Sequence, residues 1–193
     1  MNKLVFATNN KNKIKEVQSL LPKGFEVLSL EAIGCFEDIP ETQPTIEGNA
    51  LQKARHVHKH YGYSCFADDT GLLITALNNE PGVFSARYAG PQRNTDDNMN
   101  KVLQGLATKS NRNAHFKTVV ALILDDKEYT FEGICQGVIT KQKRGDKGFG
   151  YDPIFQPEGY QETFAEIDLS LKNQISHRGK AVQKLINFLS TVK

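Results

Sequence analysis

Two long strand-like runs, 114–124 and 128–140, joined at Asp125-Asp126-Lys127, most restrict what this chain can fold into. Their pattern reads as a hairpin with a short polar turn. Upstream, shorter elements alternate. Leu4 to Ala7 reads as a buried strand. Residues 13–21 follow as a helix, with Ile14, Val17, Leu20 and Leu21 at helical spacing and Pro22 stopping it. Residues 25–30 are strand-like, and 35–44 form an acidic loop with two prolines. Thr45 caps a helix over 46–61 whose inner face carries Ala50, Leu51, Ala54 and Val57. Residues 64–69 read as the next strand, followed by Leu72-Leu73-Ile74. A turn falls at 78–82, and Thr95-Asp96-Asp97 opens a helix to about Leu106. From Ser176 an amphipathic helix turns Ala181, Leu185, Ile186 and Leu189 inward. Alternating strands and helices followed by a hairpin predict an α/β fold with a mixed sheet.

With 193 residues the chain can bury roughly 70% of its unfolded surface. We expect a single domain over 1–193, since neither an internal repeat nor a linker-like composition break occurs. A net charge of +2 gives no electrostatic argument for nucleic acid or a membrane surface. No apolar run approaches the roughly 18 residues of a spanning helix, and the apolar part of the N-terminus is short for a signal peptide. Cys35, Cys65 and Cys135 are odd in number and lack CxxC pairing, which predicts reduced thiols and a cytoplasmic protein.

Asp68 and Asp69 end an apolar strand, where adjacent like charges are costly unless a cation offsets them. A divalent metal is the usual candidate. Thr8-Asn9-Asn10-Lys11-Asn12-Lys13, closing the first strand, offers amide, hydroxyl and ammonium donors with no acid, a composition suited to a polyanion. Together they point to phosphate chemistry, although neither GxxxxGK[ST] nor a GxGxxG after a strand is present.

Other segments leave alternatives open. Gly148, Gly150 and Gly145 would let the backbone approach a ligand, with Phe149 and Tyr151 as stacking faces; the same segment could be a plain loop. Ser176 caps the last helix, and His177-Arg178 add donors at its positive end, a corner that welcomes an anion or a carbonyl. Glu41 alone reads as an exposed loop acid. His56 and His60 have the i,i+4 spacing of two metal ligands but lack a third in the sequence, so a solvated helix face is the simpler reading. Arg87 could hold a phosphate or a carboxylate of the fold.

Taken in order, Thr8-x-Asn10-x-x-Lys13, Ala67 to Leu72, Pro81-Gly82-Val83-x-Ser85-Ala86-Arg87-Tyr88, Gly148 to Pro153 and Ile175 to Gly179 resemble the inosine triphosphate pyrophosphatases. The likeness runs from residue 3 to about 189. It implies hydrolysis of the non-standard purine nucleotides ITP, dITP and XTP to the monophosphate and pyrophosphate, with Mg²⁺, usually in a homodimer. It also implies an elongated mixed sheet with helical lobes and a central cleft. Asp69 is then the general base and a metal ligand, Glu41 the other metal carboxylate, and Asp68 a support for the metal and the water. Lys13 neutralises phosphate charge, with Thr8, Asn9, Asn10, Lys11, Asn12 and Thr70 lining the triphosphate. Phe149 stacks on the base beside Gly150, Tyr151 and Asp152, and Lys172, His177 and Arg178 complete the purine pocket. The chain departs from the commoner pattern at Asn9, Asn12, Gln43 and Thr70; Thr70 keeps the usual hydroxyl.

Inosine and xanthosine present a 6-keto acceptor where adenine presents a donor, so buried donors would separate them. Guanine shares the keto group and is not separated by that contact. Two rival readings remain: a septum-formation-type pyrophosphatase acting on modified pyrimidine nucleotides, and a nucleotide- or RNA-binding module using the basic run 141–147.

Overall fold

The computed structural model describes residues 2–20 and 25–192. Among these residues seven strands and five α-helices occur, of which α4, β4 and β7 were not expected from the sequence: β1 (Asn2–Phe6), α1 (Lys11–Gln18), β2 (Phe25–Leu28), α2 (Ile46–Tyr61), β3 (Cys65–Ile74), β4 (Glu80–Gly82), α3 (Thr95–Gly105), β5 (Asn113–Leu124), β6 (Lys127–Ile139), β7 (Phe155–Pro157), α4 (Leu169–Ile175) and α5 (His177–Thr191). The strands follow the order β2-β1-β3-β5-β6-β7, with β4 paired to β3. β1 lies parallel to β2 and β3, whereas β4 and β7 pair antiparallel, so the sheet is mixed.

Several boundaries differ for local reasons. α1 starts two residues before the expected position because Asn10 caps it, accepting from the Asn12 and Lys13 amides at 3.0 and 3.3 Å. It also ends early, at Gln18 with Ser19 as its C-cap, so Leu20 is not helical as expected; Leu21 and Pro22 lie outside the described residues. The expected strand at 64–69 begins at Cys65 and runs on through 72–74 as one strand, which Thr70-Gly71 do not interrupt. Asn94, not Thr95, caps α3, accepting from the Asp97 amide at 3.0 Å. The last helix is preceded by a separate short one, α4, with Ser176 in extended backbone between the two. Asp125 and Asp126 both take positive φ, the conformation of a tight two-residue hairpin turn.

The chain forms two compact units. The first comprises 1–69, 118–133 and 178–193. Its core packs Leu4, Phe6, Phe66, Val120 and Leu122 of the strands against Val17 of α1 and Ala181, Val182, Leu185 and Leu189 of α5. Phe6 and Phe66, paired in register, stack at 4.5 Å. The second comprises 70–117 and 134–177. There Met99, Val102 and Leu106 of α3 pack with Leu72, Ile74, Phe116, Ile139, Phe155 and Phe164. β3, β5 and β6 each contribute residues to both units. All three cysteines are buried and none forms a disulfide. Among the described residues no helix is long and apolar enough to cross a membrane.

Candidate active site

In the first unit the adjacent aspartates of β3 take different partners, as a strand's alternation requires. Asp68 accepts from Lys13 Nζ at 2.9 Å and from Arg178 Nε at 3.0 Å. Arg178 Nη1 also meets Glu16 Oε2 at 2.5 Å, so its guanidinium bridges carboxylates on α1 and β3. Burial alone would push Asp68 up, but Lys13 and Arg178 outweigh it and hold this carboxyl well below the usual range. The same burial, with Lys53 and Arg178 nearby, pulls the Lys13 ammonium down against the attraction of Asp68.

Asp69 lies with different groups. Lys53 Nζ sits 3.6 Å from Asp69 Oδ1 and 2.5 Å from Glu41 Oε1, and Asn49 Nδ2 donates to Asp69 Oδ2 at 3.3 Å. Burial raises the Asp69 carboxyl, and the attraction of Lys53 and Lys13 does not cancel it because Glu41 and Asp68 repel. Against burial, Asp69 and Glu41 hold the Lys53 ammonium above its ordinary value. The loop carrying Glu41 is tied to α2 just after this residue: the Thr42 amide donates to Gln52 Oε1 and the Gln43 amide to Asn49 Oδ1, each at 2.9 Å. Gly48 is required in this first turn, since a Cβ there would lie 2.8 Å from Gln43 Cβ and 2.9 Å from Thr45 Oγ1.

Two carboxylates thus converge on one cationic atom, as metal ligands would. Their all-oxygen donor set fits a hard cation such as Mg²⁺. The residues preceding α1 have a local task as well: the Asn10 side chain caps the helix and Thr8 Oγ1 accepts from the Asn10 amide at 3.2 Å. Asn9, Lys11 and Asn12 are exposed beside that positive helix end, and Thr70 is half-buried just after Asp69.

In the second unit Asp152 organises the glycine-rich segment. Its Oδ2 accepts from the Phe149 amide at 2.8 Å and from Lys172 Nζ at 2.6 Å. Gly148 has φ +72°, and a Cβ there would come within 2.0 Å of that oxygen. Lys172 Nζ stands 5.0 Å from the Phe149 ring centroid, a cation–π contact that holds the half-buried ring. Gly150 also takes positive φ, at +65°. Tyr151 is buried, its hydroxyl donating to Ser85 O at 2.8 Å, while Ser85 Oγ accepts from the Leu72 amide. His177 is buried and stacks on Phe116 at 4.4 Å, with Phe164 at 6.1 Å.

The structure therefore gathers Lys13, Glu41, Asp68, Asp69 and Arg178 in one cluster and Phe149, Asp152 and Lys172 in another. Arg178 is found with Asp68 and Glu16, on the carboxylate side. Sequence reasoning passed over Glu16, Asn49 and Lys53. The signal for the last two was present: Asn49 and Lys53 are polar residues next to Ala50 and Ala54 on the apolar face of α2, and both are buried. Arg87 lies over the Phe84 ring at 5.4 Å.

Solved Ham1 proteins share this mixed-sheet α/β fold. That from Staphylococcus aureus superposes with a TM-score of 0.91 at 36% identity, and that from Coxiella burnetii with 0.92 at 40%, each over 100% of both chains. The Ham1 family matches residues 4–188, and this chain belongs to it. Relatives described as dITP/XTP pyrophosphatases include one from Flavobacterium johnsoniae, 62% identical over 99% of this chain and 100% of its own length. Another, from Flavobacterium psychrophilum, is 63% identical over 96% and 97%.

Proposed function

We propose that this chain hydrolyses non-standard purine nucleoside triphosphates (ITP, dITP and XTP) to the monophosphate and pyrophosphate, using Mg²⁺. The carrying observation is the convergence of Glu41 and Asp69 on a single cationic position in a cluster that also holds Lys13. Full-length likeness to dITP/XTP pyrophosphatases supports the substrate class.

In this reading a water attacks the α-phosphorus and the α–β phosphoanhydride bond breaks, with pyrophosphate leaving. Asp69 takes the water's proton. Burial keeps it the more basic of the two aspartates, whereas Lys13 and Arg178 hold Asp68 ionised. Glu41 and Asp69 would hold Mg²⁺, which supplies Lewis acidity at phosphate oxygens and lowers the pKa of a coordinated water. Lys13 and Lys53 offset charge developing on the phosphates. Thr8 to Asn12 and Thr70 supply further contacts to the triphosphate. Arg178 is a positioning residue here, fixing Asp68 and, through it, Lys13. Phe149 stacks on the base, held in place by Asp152, Lys172 and Gly150, and His177 donates toward the 6-keto oxygen. Tyr151 steadies the same segment through Ser85. A homodimer in the cytoplasm completes the reading; sedimentation would read twice the 21.6 kDa chain mass.

Product analysis with ITP, XTP, GTP and ATP, with and without Mg²⁺, tests the proposal. Metal-dependent release of pyrophosphate and IMP from ITP, with ATP spared, is expected. Orthophosphate as the first product would mean cleavage at the γ-phosphate and a different reaction. Binding without consumption would make the chain a nucleotide-binding module.

A further inference from the structure

A second cluster in the first unit takes no part in this chemistry. One ligand atom each from Cys35, Glu37 and His56 lies within 4.8 Å of the other two. His56 Nε2 is 2.9 Å from Glu37 Oε1, and the Tyr61 hydroxyl contacts both Glu37 oxygens at 2.8 Å. Two pieces of chain bring these groups together. Gly34, at φ +76°, turns the backbone after the 3-10 turn Glu31–Ile33, and the Cys35 amide then donates to Leu30 O at 3.0 Å. The imidazole comes from the middle of α2. The thiol is 1% exposed and the imidazole side chain 19%, whereas the carboxylate side chain is 46% exposed. The cluster is closed around sulfur and open at the carboxylate.

A thiol, an imidazole and one carboxylate make a mixed S/N/O set, suited to a borderline-soft divalent ion and poorly suited to Mg²⁺. Zinc takes sulfur at about 2.3 Å and nitrogen or oxygen at about 2.0–2.2 Å, which sets tetrahedral ligand atoms about 3.3–3.8 Å apart. Ligation would lengthen the 2.9 Å His56–Glu37 contact into that range and bring atoms now up to 4.8 Å apart closer together, and the exposed side leaves a fourth position for water. We propose that Cys35, Glu37 and His56 form a zinc-class metal site, separate in residues and donor chemistry from the Glu41–Asp69 oxygen pair. Binding replaces the Cys35 thiol proton, which leaves to solvent, and His56 ligates through Nε2 with its proton on Nδ1. Glu37 precedes Glu41 by four residues and His56 follows Lys53 by one helical turn. An ion at this site therefore ties the Glu41 loop to the helix that presents Lys53.

The test is metal titration of the reduced, chelator-stripped full chain with Co²⁺, followed by displacement with Zn²⁺. One equivalent of Co²⁺ should bind with a thiolate-to-cobalt charge-transfer band in the near ultraviolet, and Zn²⁺ should abolish it. Cys35→Ser should remove the band, and Cys65→Ser should keep it. Glu37→Gln and His56→Gln should each weaken Zn²⁺ by at least about 10-fold, the lower bound for losing even an outer-shell partner. Bound Co²⁺ without the band, a band that survives Cys35→Ser, or displacement by Mg²⁺ as readily as by Zn²⁺ would each overturn the site. Should Cys35→Ser fail to fold, the surface variant Glu37→Gln decides: unchanged Zn²⁺ affinity refutes the proposal. Because the readout is metal binding, its failure leaves the proposed hydrolysis untouched.

Discussion

Replacing Lys172 with methionine removes the cation that balances Asp152 while keeping the volume of the side chain. The ammonium and carboxylate are 2.6 Å apart with 5% and 4% of their side chains exposed. Water cannot compensate at that depth, so losing one partner of such a pair costs about 3–5 kcal/mol. For a chain of this length each kcal/mol moves the midpoint by about 2–4 °C, which gives a fall in Tm of about 6–20 °C. Thermal unfolding followed by far-ultraviolet circular dichroism measures it. The partner experiment is Lys172→Met with Asp152→Asn, which removes the buried charge yet keeps an oxygen for the Phe149 amide. If ion pairing sets the cost, the double variant recovers about 2 kcal/mol or more relative to the single one. A fall below about 2 °C in the single variant, or a double variant no better than it, would refute the reasoning.

Asp69→Asn should fold normally and lower pyrophosphate release from ITP by about 100-fold or more, the usual contribution of a general base; turnover like that of the parent chain would remove Asp69 from the reaction. Arg178→Lys should lower stability by about 3 kcal/mol, because one ammonium cannot reproduce the guanidinium fork between Glu16 and Asp68; urea unfolding reads the loss. Burial pushes the Cys65 thiol up to about 12. The unfolded chain ionises this thiol near about 8.5, so its contribution to stability is complete below that pH and is lost as pH climbs toward 12. Stability measured from pH 8 to 11 should fall with a slope that Cys65→Ala reduces. Asn94→Ala removes the α3 cap and should cost about 1 kcal/mol, a shift of about 2–4 °C in Tm.

Much of the fold was legible because its elements carry strong local signals. The Thr45 cap, the Ala50, Ala54 and Val57 face of α2, the paired aspartates of the hairpin turn, and the inner stripe of α5 stand where pattern places them, whereas Leu51, expected on the same face of α2, is only half-buried. The separate helix α4 and the three-residue strands β4 and β7 were not legible, since segments that short have no periodicity to read and exist through their partners. At the site, charge was legible and pairing was not. Adjacent aspartates announce that a cation is needed, but the sequence does not reveal that Lys13 and Arg178 serve Asp68 while Lys53 serves Asp69. Those partners lie 16 to 110 positions away in the chain and meet only through the fold.

α5 opens with two neighbours that face different company. His177 stacks with Phe116 and Phe164, and Arg178 bridges Glu16 and Asp68. Each helical residue advances the azimuth by about 100°, so the junction works as a reading frame. A single alanine inserted between them would rotate every later residue out of phase, moving Arg178 off both carboxylates and Leu185 and Leu189 off the core. Side chains along α5 can drift among relatives one at a time, whereas a one-residue insertion or deletion at this point cannot be absorbed locally. Length variation within the family should therefore collect in exposed turns and be absent from the start of this helix.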